Sequence, residues 1–226
     1  LSADYSQIEL RLLAHISGDT ALIEAFKGNI DVHTLTASKI FGVSTDEVTK
    51  DMRRKAKAVN FGIVYGQTRY GLSQSLGISS HEAQEFIDKY FENYPKVKLF
   101  MEGTAQFANE NMYVQTLFGR KRYFTNELNS SNYNIREFAK RASINAPLQG
   151  TAADLMKIVM IKLSKALKEN NIDGKIIMQV HDELVFEVNK KDLNKLTKLT
   201  KDIMENTITF NVPLLVDIGY GKNWKE

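Results

Sequence analysis

The sequence predicts an α+β fold, a small antiparallel sheet made from the two ends of the chain with a large helical insertion between them. Three observations carry this. Residues suited to a pleated, half-buried surface gather at 1–5, 174–188 and 214–220. Between the first two of these runs, apolar residues recur mostly at helical spacing. The central run, GKIIMQVHDELVFEV, is two apolar stretches facing each other across His181, Asp182 and Glu183, which reads as a tight hairpin.

Residues 1–5 form the first strand. Ile8, Leu10, Leu12, Leu13 and Ile16 then make one apolar helical face that ends at Gly18, so Asp4 stands where strand gives way to helix. Asp19 is a good N-cap for a second helix that stops at Gly28, and a third helix runs from about Asp31 to Gly42. Ser44 and Glu47 have capping-box spacing ahead of a long helix reaching Tyr65 and Gly66. A helical segment from Tyr70 to Leu76 stops at Gly77, Ser79 and Glu82 repeat the box before a helix over 83–94, and Pro95 opens another to about Asn111. Residues 114–124 alternate around Phe118 and Gly119 as a small exposed hairpin, and 126–134 are polar and loop-like. The helical pattern of 135–171 contains Pro147, which predicts two helices or one sharply bent. After the central hairpin come an amphipathic helix over 192–206 and a last strand, LLVDIGY, whose alternation suits one wet sheet face.

A chain of 226 residues, 43% of them hydrophobic, can bury a good core in one or two compact units. No apolar run approaches the roughly 18 residues of a transmembrane helix and no signal-peptide pattern opens the chain, so a soluble, intracellular protein is expected. The absence of cysteine excludes disulfides and thiolate zinc sites, and the four histidines are scattered. A net charge of +3 does not by itself argue for nucleic acid, but basic residues cluster at 50–57, 120–122 and 136–141. Because the chain begins without methionine, inside what reads as a strand, it is expected to be a fragment of something longer.

Two constellations carry chemistry. Arg53, Lys57, Phe61 and Tyr65 recur at every fourth position and form one stripe ordered cation, cation, aromatic, aromatic. A core stripe would be apolar throughout, and a solvated face would not keep two aromatic rings in register with the charges. Such a ladder suits an extended ligand with phosphates at one end and a ring system at the other. Asp4 and Asp182 each sit at a strand end in one expected sheet, where paired carboxylates can hold two divalent ions. The bland alternatives are a solvated polar turn at 181–183, a satisfied core histidine at His33, helix capping around Pro147 for Asn145 and Gln149, and a solvated basic tip at Arg120 to Arg122.

Together, DYSQIELR (residues 4–11), RRKAKAVNFGIVYG (53–66), RASINAPLQG (141–150) and QVHDE (179–183) resemble, in order and spacing, the signatures of the family A DNA polymerases of bacterial DNA polymerase I type. The resemblance implies a partial, discontinuous palm at 1–27 and 132–226 and fingers at 28–131, with thumb and exonuclease domains absent from this chain. It implies dNTP transfer to a primer 3′-hydroxyl, catalysed by Asp4, Asp182 and Lys57. Two Mg²⁺ ions, for which Mn²⁺ can substitute, would be held by Asp4, Asp182 and the Tyr5 carbonyl. Gln7, Glu9, His33, Arg53, Lys57, Phe61 and Tyr65 would bind the nucleotide, with Glu9 excluding a 2′-hydroxyl and hydrogen-bonded by Tyr65. Arg141, Asn145, Gln149, His181 and Glu183 would contact primer-template DNA. The implied setting is a monomer within a longer chain, off the membrane, in the bacterial nucleoid or an organelle, and the fragment alone is expected to extend primers poorly or not at all. Rival readings are a metal-dependent nuclease, which would not need the ladder, a single-subunit RNA polymerase, which Glu9 disfavours, and a helix-turn-helix DNA-binding module at 71–86, whose second helix is acidic.

Overall fold

The computed structural model describes residues 1–224. They divide into two compact units, Leu1–Ile8 with Thr151–Glu226, and Glu9–Gly150. These bounds follow packing and differ from the functional division at 27/28 and 131/132 that the family resemblance implies.

The first unit holds the sheet. Its strands are β1 (Ser2–Tyr5), β4 (Gly174–Val180), β5 (Glu183–Val188) and β6 (Val216–Gly219), in the spatial order β4-β5-β1-β6 with every neighbouring pair antiparallel. The two chain ends and the central hairpin therefore meet in one sheet, as expected. β4 and β5 are joined by the two-residue turn His181-Asp182, and His181 adopts φ 53° there. A bulge at Ile177 interrupts the pairing between Ile176 and Met178. Helix α10 (Leu193–Asn206) packs beside β6, and the hydroxyl of buried Tyr5 donates to the Met204 carbonyl at 2.6 Å. Ala3, Tyr5, Leu184, Phe186 and Val216 are buried on one side of this sheet.

The second unit is helical: α1 (Ile8–Ser17), α2 (Thr20–Lys27), α3 (Val32–Phe41), α4 (Lys50–Val64), α5 (Arg69–Leu76), α6 (Ser80–Asn93) and α7 (Pro95–Asn111), then the hairpin β2 (Tyr113–Gln115) and β3 (Lys121–Tyr123), and α8 (Thr125–Leu128). Helix α9 (Tyr133–Glu169), like α1, contributes residues to both units. Asp19 caps α2 by accepting from the Ala21 and Leu22 amides, and its other oxygen accepts from the Lys96 amide in the first turn of α7. Ala108, Val114, Phe124, Ala139 and Ala146 form a core cluster that joins the small hairpin to α7 and α9.

Three expectations need correction. The Ser44–Glu47 capping box closes a single 3-10 turn (Thr45–Glu47), and α4 starts later with its own cap, Thr49, whose hydroxyl accepts from the Met52 amide. Residues expected as loop contain the short α8. Helix α9 is continuous through Pro147, so there are not two helices. The proline removes one helical bond at a cost of about 3 kcal/mol, but Ala146 and Leu148 beside it are buried at 8% and 1% exposure, and packing of that kind offsets such a loss.

Candidate active site

The carboxylate corner is built by backbone pairing in the first unit. Asp4 on β1 lies directly opposite Glu183 on β5 and directly opposite Asp217 on β6. Directly paired residues project from the same face of a sheet, so three carboxylates form a row across three strands. Asp182 completes it from the hairpin turn, tied to β1 by the Tyr5 amide donating to its carbonyl at 3.3 Å. Like charges in register destabilise a sheet. Partial desolvation first, then the charges of Asp182, Glu183 and Asp217, push the Asp4 carboxyl up to about 6, although the side chain reaches the surface. Divalent cations with a preference for oxygen ligands relieve that repulsion, so the donor chemistry fits Mg²⁺ or Mn²⁺. No three of the described His, Asp or Glu side chains are arranged to chelate an ion by themselves. Mg²⁺ commonly takes one or two carboxylates and completes its shell with substrate phosphates and water.

Around this corner, His181 is exposed and its carbonyl accepts from the Gln179 amide at 2.7 Å. Glu183 accepts from the Trp224 indole. Tyr5 offers a metal only its backbone carbonyl, because its ring is buried and its hydroxyl is spent on Met204. Gln7 turns the chain from β1 into α1 with φ 53°, and its Oε1 is buried without a hydrogen-bond partner. A non-glycine residue in the left-handed region with an unmet polar atom is the kind of strain that gathers at functional sites.

The ladder lies in the second unit, on α4. Arg53 pairs through Nε with Asp31, the N-cap of α3. Burial draws the Asp31 carboxyl upward, but hydrogen bonds from Arg53, Thr34 and the His33 amide, with the Arg53 charge, hold it below the usual carboxylate range. Lys57, one turn on, is exposed. Phe61 and Tyr65 follow with rings stacked at 6.2 Å and 17°. The Tyr65 hydroxyl donates to Glu9 Oε2 at 2.7 Å, the bond expected from the resemblance.

His33 is 3% exposed, its ring tilted against Phe61 at 5.7 Å. The Asn60 amide donates to its Nδ1 at 3.0 Å, and Asn60 Oδ1 accepts from the Thr36 hydroxyl, which also meets the Tyr94 hydroxyl. With the Asn60 amide in this orientation the ring proton sits on Nε2. Desolvation, then the nearby Arg53 and Lys57 charges working against Asp31, lowers its pKa to about 4, so the imidazole is neutral at pH 7. His33 is thus the satisfied buried histidine that its apolar helix face suggests, with a single N–H left to offer.

Arg141, Asn145 and Gln149 lie on α9 in the second unit. Gly66 has φ +64°, and a side chain there would start 3.2 Å from the Arg141 stem, so glycine is required both for conformation and for space. Asn145 is buried, and its amide donates to the Val64 carbonyl at the last residue of α4. Capping does occupy it, but the helix capped is α4 and not α9. Its Oδ1 has no partner. Gln149 is exposed beside Thr116, Arg120 and Arg122 at a recess of about 80 Å³. Arg120, Lys121 and Arg122 are exposed, as a solvated tip requires; Arg120 also donates to the Gly150 carbonyl at 3.1 Å, while Lys121 and Arg122 lie over the Tyr113 and Phe124 rings.

Sequence reasoning missed Asp217 and the partners of Asp31 and Arg120. The charged residue inside the alternating LLVDIGY strand was the available signal for Asp217. The helix-turn-helix alternative gains nothing, since Glu85 and Asp88 are exposed on α6 and would repel phosphate.

The family model for DNA polymerase family A matches residues 1–226. Similar proteins include DNA polymerase I of Caldicellulosiruptor bescii, 53% identical over 226 residues, and DNA polymerase I of Bacillus subtilis, 52% identical over 225 residues. Each alignment covers all of this chain and 26% of the relative, so the chain spans about a quarter of the length of these proteins. A solved structure of the POL domain of Pol1 from M. smegmatis, in complex with DNA primer-template and dNTP, superposes with a TM-score of 0.93 at 44% identity, covering 99% of this chain and 39% of that one.

Proposed function

The chain belongs to DNA polymerase family A, and from that premise we propose that it is the catalytic part of a template-directed DNA polymerase. It transfers a deoxynucleotidyl group from a dNTP to a primer 3′-hydroxyl by two-metal-ion catalysis. The observation that carries this reading is the row Glu183, Asp4, Asp217 with Asp182 at its corner, a set of carboxylates whose repulsion calls for divalent cations. Asp4, Asp182 and the Tyr5 carbonyl would hold two Mg²⁺ ions, with Mn²⁺ able to replace them. Ions held there would supply Lewis-acid activation of the attacking hydroxyl and charge stabilisation of the departing oxygen.

The protein's own side chains do the rest. Arg53 exchanges Asp31 for the triphosphate, a bidentate partner of the same sign. Lys57 places a point charge against the phosphoryl group as negative charge develops there. Gln7 and neutral His33, through Nε2–H, add contacts to the phosphates. Phe61 packs on the sugar, Tyr65 closes the insertion site, and Glu9, steadied by Tyr65, occupies the volume a 2′-hydroxyl would need. Arg141, Asn145 and Gln149 follow the minor groove near the primer end, where every base pair presents acceptors. His181 and Glu183 flank the primer terminus. The proposed palm is 1–27 with 132–226, the proposed fingers 28–131. The partners are primer-template DNA and dNTPs, the same classes of ligand held by the M. smegmatis POL domain in its complex. The protein would act as a monomer within a longer polymerase, in the cytoplasm or an organelle; no described helix is long and apolar enough to cross a membrane.

Primer extension by this chain, and by the longer polymerase expected to contain it, with Mg²⁺ and each nucleotide class tests the reading. Templated extension with dNTPs over NTPs is expected of the longer polymerase, with little or none by this chain alone. Strand cleavage without extension would replace it with a nuclease.

A further inference from the structure

Glu183 accepts a hydrogen bond from Trp224, indole Nε1 to Oε1 at 3.0 Å. The topology gives this contact its meaning. Glu183 is on β5, the chain leaves the sheet from β6, and β1 lies between them. Gly219, the last residue of β6, is opposite Ser2, whereas Glu183 is opposite Asp4. To reach Glu183, the five residues after Gly219 must pass the strand that carries Asp4 and turn back along it. Burial does not hold the indole there, since Trp224 is 53% exposed. Its N–H aims it, and a bond to a carboxylate is of the stronger, charge-assisted kind.

Glutamate has three rotatable bonds, and from its place in the row Glu183 could turn toward Asp4 and join the ligands of a bound ion. A third protein carboxylate would occupy coordination that Mg²⁺ otherwise gives to substrate phosphates and water. We infer that Trp224 is a positioning residue for the carboxylate corner: its indole N–H tethers Glu183 at the edge of the row and keeps it out of the ion shell. The ions are then left to the two assigned ligands, Asp4 and Asp182, and the triphosphate completes the coordination. This deepens the polymerase reading and rests on its assignment of Asp4 and Asp182.

Trp224 is the chain's one tryptophan, so its emission reports on this contact alone. Glu183→Ala should lower the emission anisotropy and raise quenching by acrylamide. Trp224→Phe keeps the ring and removes the donor. Binding of Mn²⁺ to the metal-depleted chain, followed by the paramagnetic resonance of free Mn²⁺, should tighten by about threefold to tenfold in that variant, the range for one hydrogen bond. Adding Glu183→Gln to Trp224→Phe should return the affinity to that of the wild type. A purely structural tryptophan would give weaker binding or none of this, and no reversal. Emission indifferent to Glu183→Ala, or Mn²⁺ affinity unchanged or weaker in Trp224→Phe, overturns the inference while leaving the metal site standing. A wild-type chain that takes up no Mn²⁺ overturns the metal assignment, and the inference with it.

Discussion

The carboxylate corner and the ladder on α4 are assembled in opposite ways. The ladder comes from one helix, and one of its two cations, Arg53, already rests against an acceptor, Asp31. The corner draws Asp4, Asp182, Glu183 and Asp217 from three separate stretches of chain, held side by side only by strand pairing, and its like charges stand unrelieved. One region is partly satisfied before any ligand arrives. The other stores repulsion that a cation releases. Such a corner costs stability, whereas the ladder's ion pair can be exchanged for ligand at small net cost.

The contrast breaks most visibly at the corner. Asp4→Asn or Asp182→Asn keeps shape and removes charge, and in the intact polymerase the chemical step should fall by at least about a thousandfold with template binding nearly unchanged. Near-normal single-turnover rates in either variant would show that the corner is not where bonds are made. On the ladder the losses should be smaller and should divide. Arg53→Ala removes a charge-assisted contact of about 1.5–3 kcal/mol, weakening nucleotide affinity by roughly tenfold to a hundredfold, whereas Lys57→Ala should mainly slow chemistry. Rapid-quench kinetics over a range of dNTP concentrations separates the two, and equal defects confined to DNA binding would remove both residues from the nucleotide.

Smaller again is the sugar effect. Glu9→Ala should raise the ratio of kcat/KM for ribonucleotides over deoxynucleotides by about tenfold, which is about 1.4 kcal/mol. Tyr65→Phe, which keeps the ring and loses the donor to Glu9, should shift the ratio the same way by less. A ratio untouched by both variants would return the RNA polymerase alternative to consideration.

The smallest effect is on stability, and here the two regions have opposite signs. Asp4 is raised to about 6, so between about pH 4 and 6 the folded state holds the extra proton and stability from this group falls as pH rises. His33 is lowered to about 4, so between about pH 4 and 6.5 the unfolded state holds the extra proton and stability rises with pH. Asp4 reaches solvent, so screening reduces its share to about 1 kcal/mol. Asp4→Asn should therefore raise the metal-free melting temperature at pH 7 by about 2–4 °C, with the gain shrinking below pH 5. Calorimetry across that range checks it, and an equal shift at pH 4 and pH 7 would mean the charge is not the cause.

The same contrast decides what was legible in the sequence. Arg53, Lys57, Phe61 and Tyr65 could be read as a unit because a helix converts fourfold spacing into adjacency. The sheet was legible as a set of strands, and its one hairpin followed from the turn at 181–182. Strand register was not, because pairing between residues more than 200 positions apart leaves no local pattern, so Asp217 opposite Asp4 stayed hidden. The partners of Asp31 and Arg120 were missed for a related reason. They lie 22 and 30 positions away, in contacts that only packing creates. Pro147 left two readings open, two helices or one sharply bent, and the single helix goes with burial on both sides of the proline.

Asp19 ties together the starts of α2 and α7, whose capped amides include Lys96, 77 positions from Asp19 itself. Each cap stabilises its helix start by about 1 kcal/mol, so neither helix can fray at its first turn without unsettling the carboxylate that holds the other. Opening there is one event shared by two distant segments. The amide protons of Ala21, Leu22 and Lys96 are accordingly expected to exchange with solvent together, since all three are held by one carboxylate.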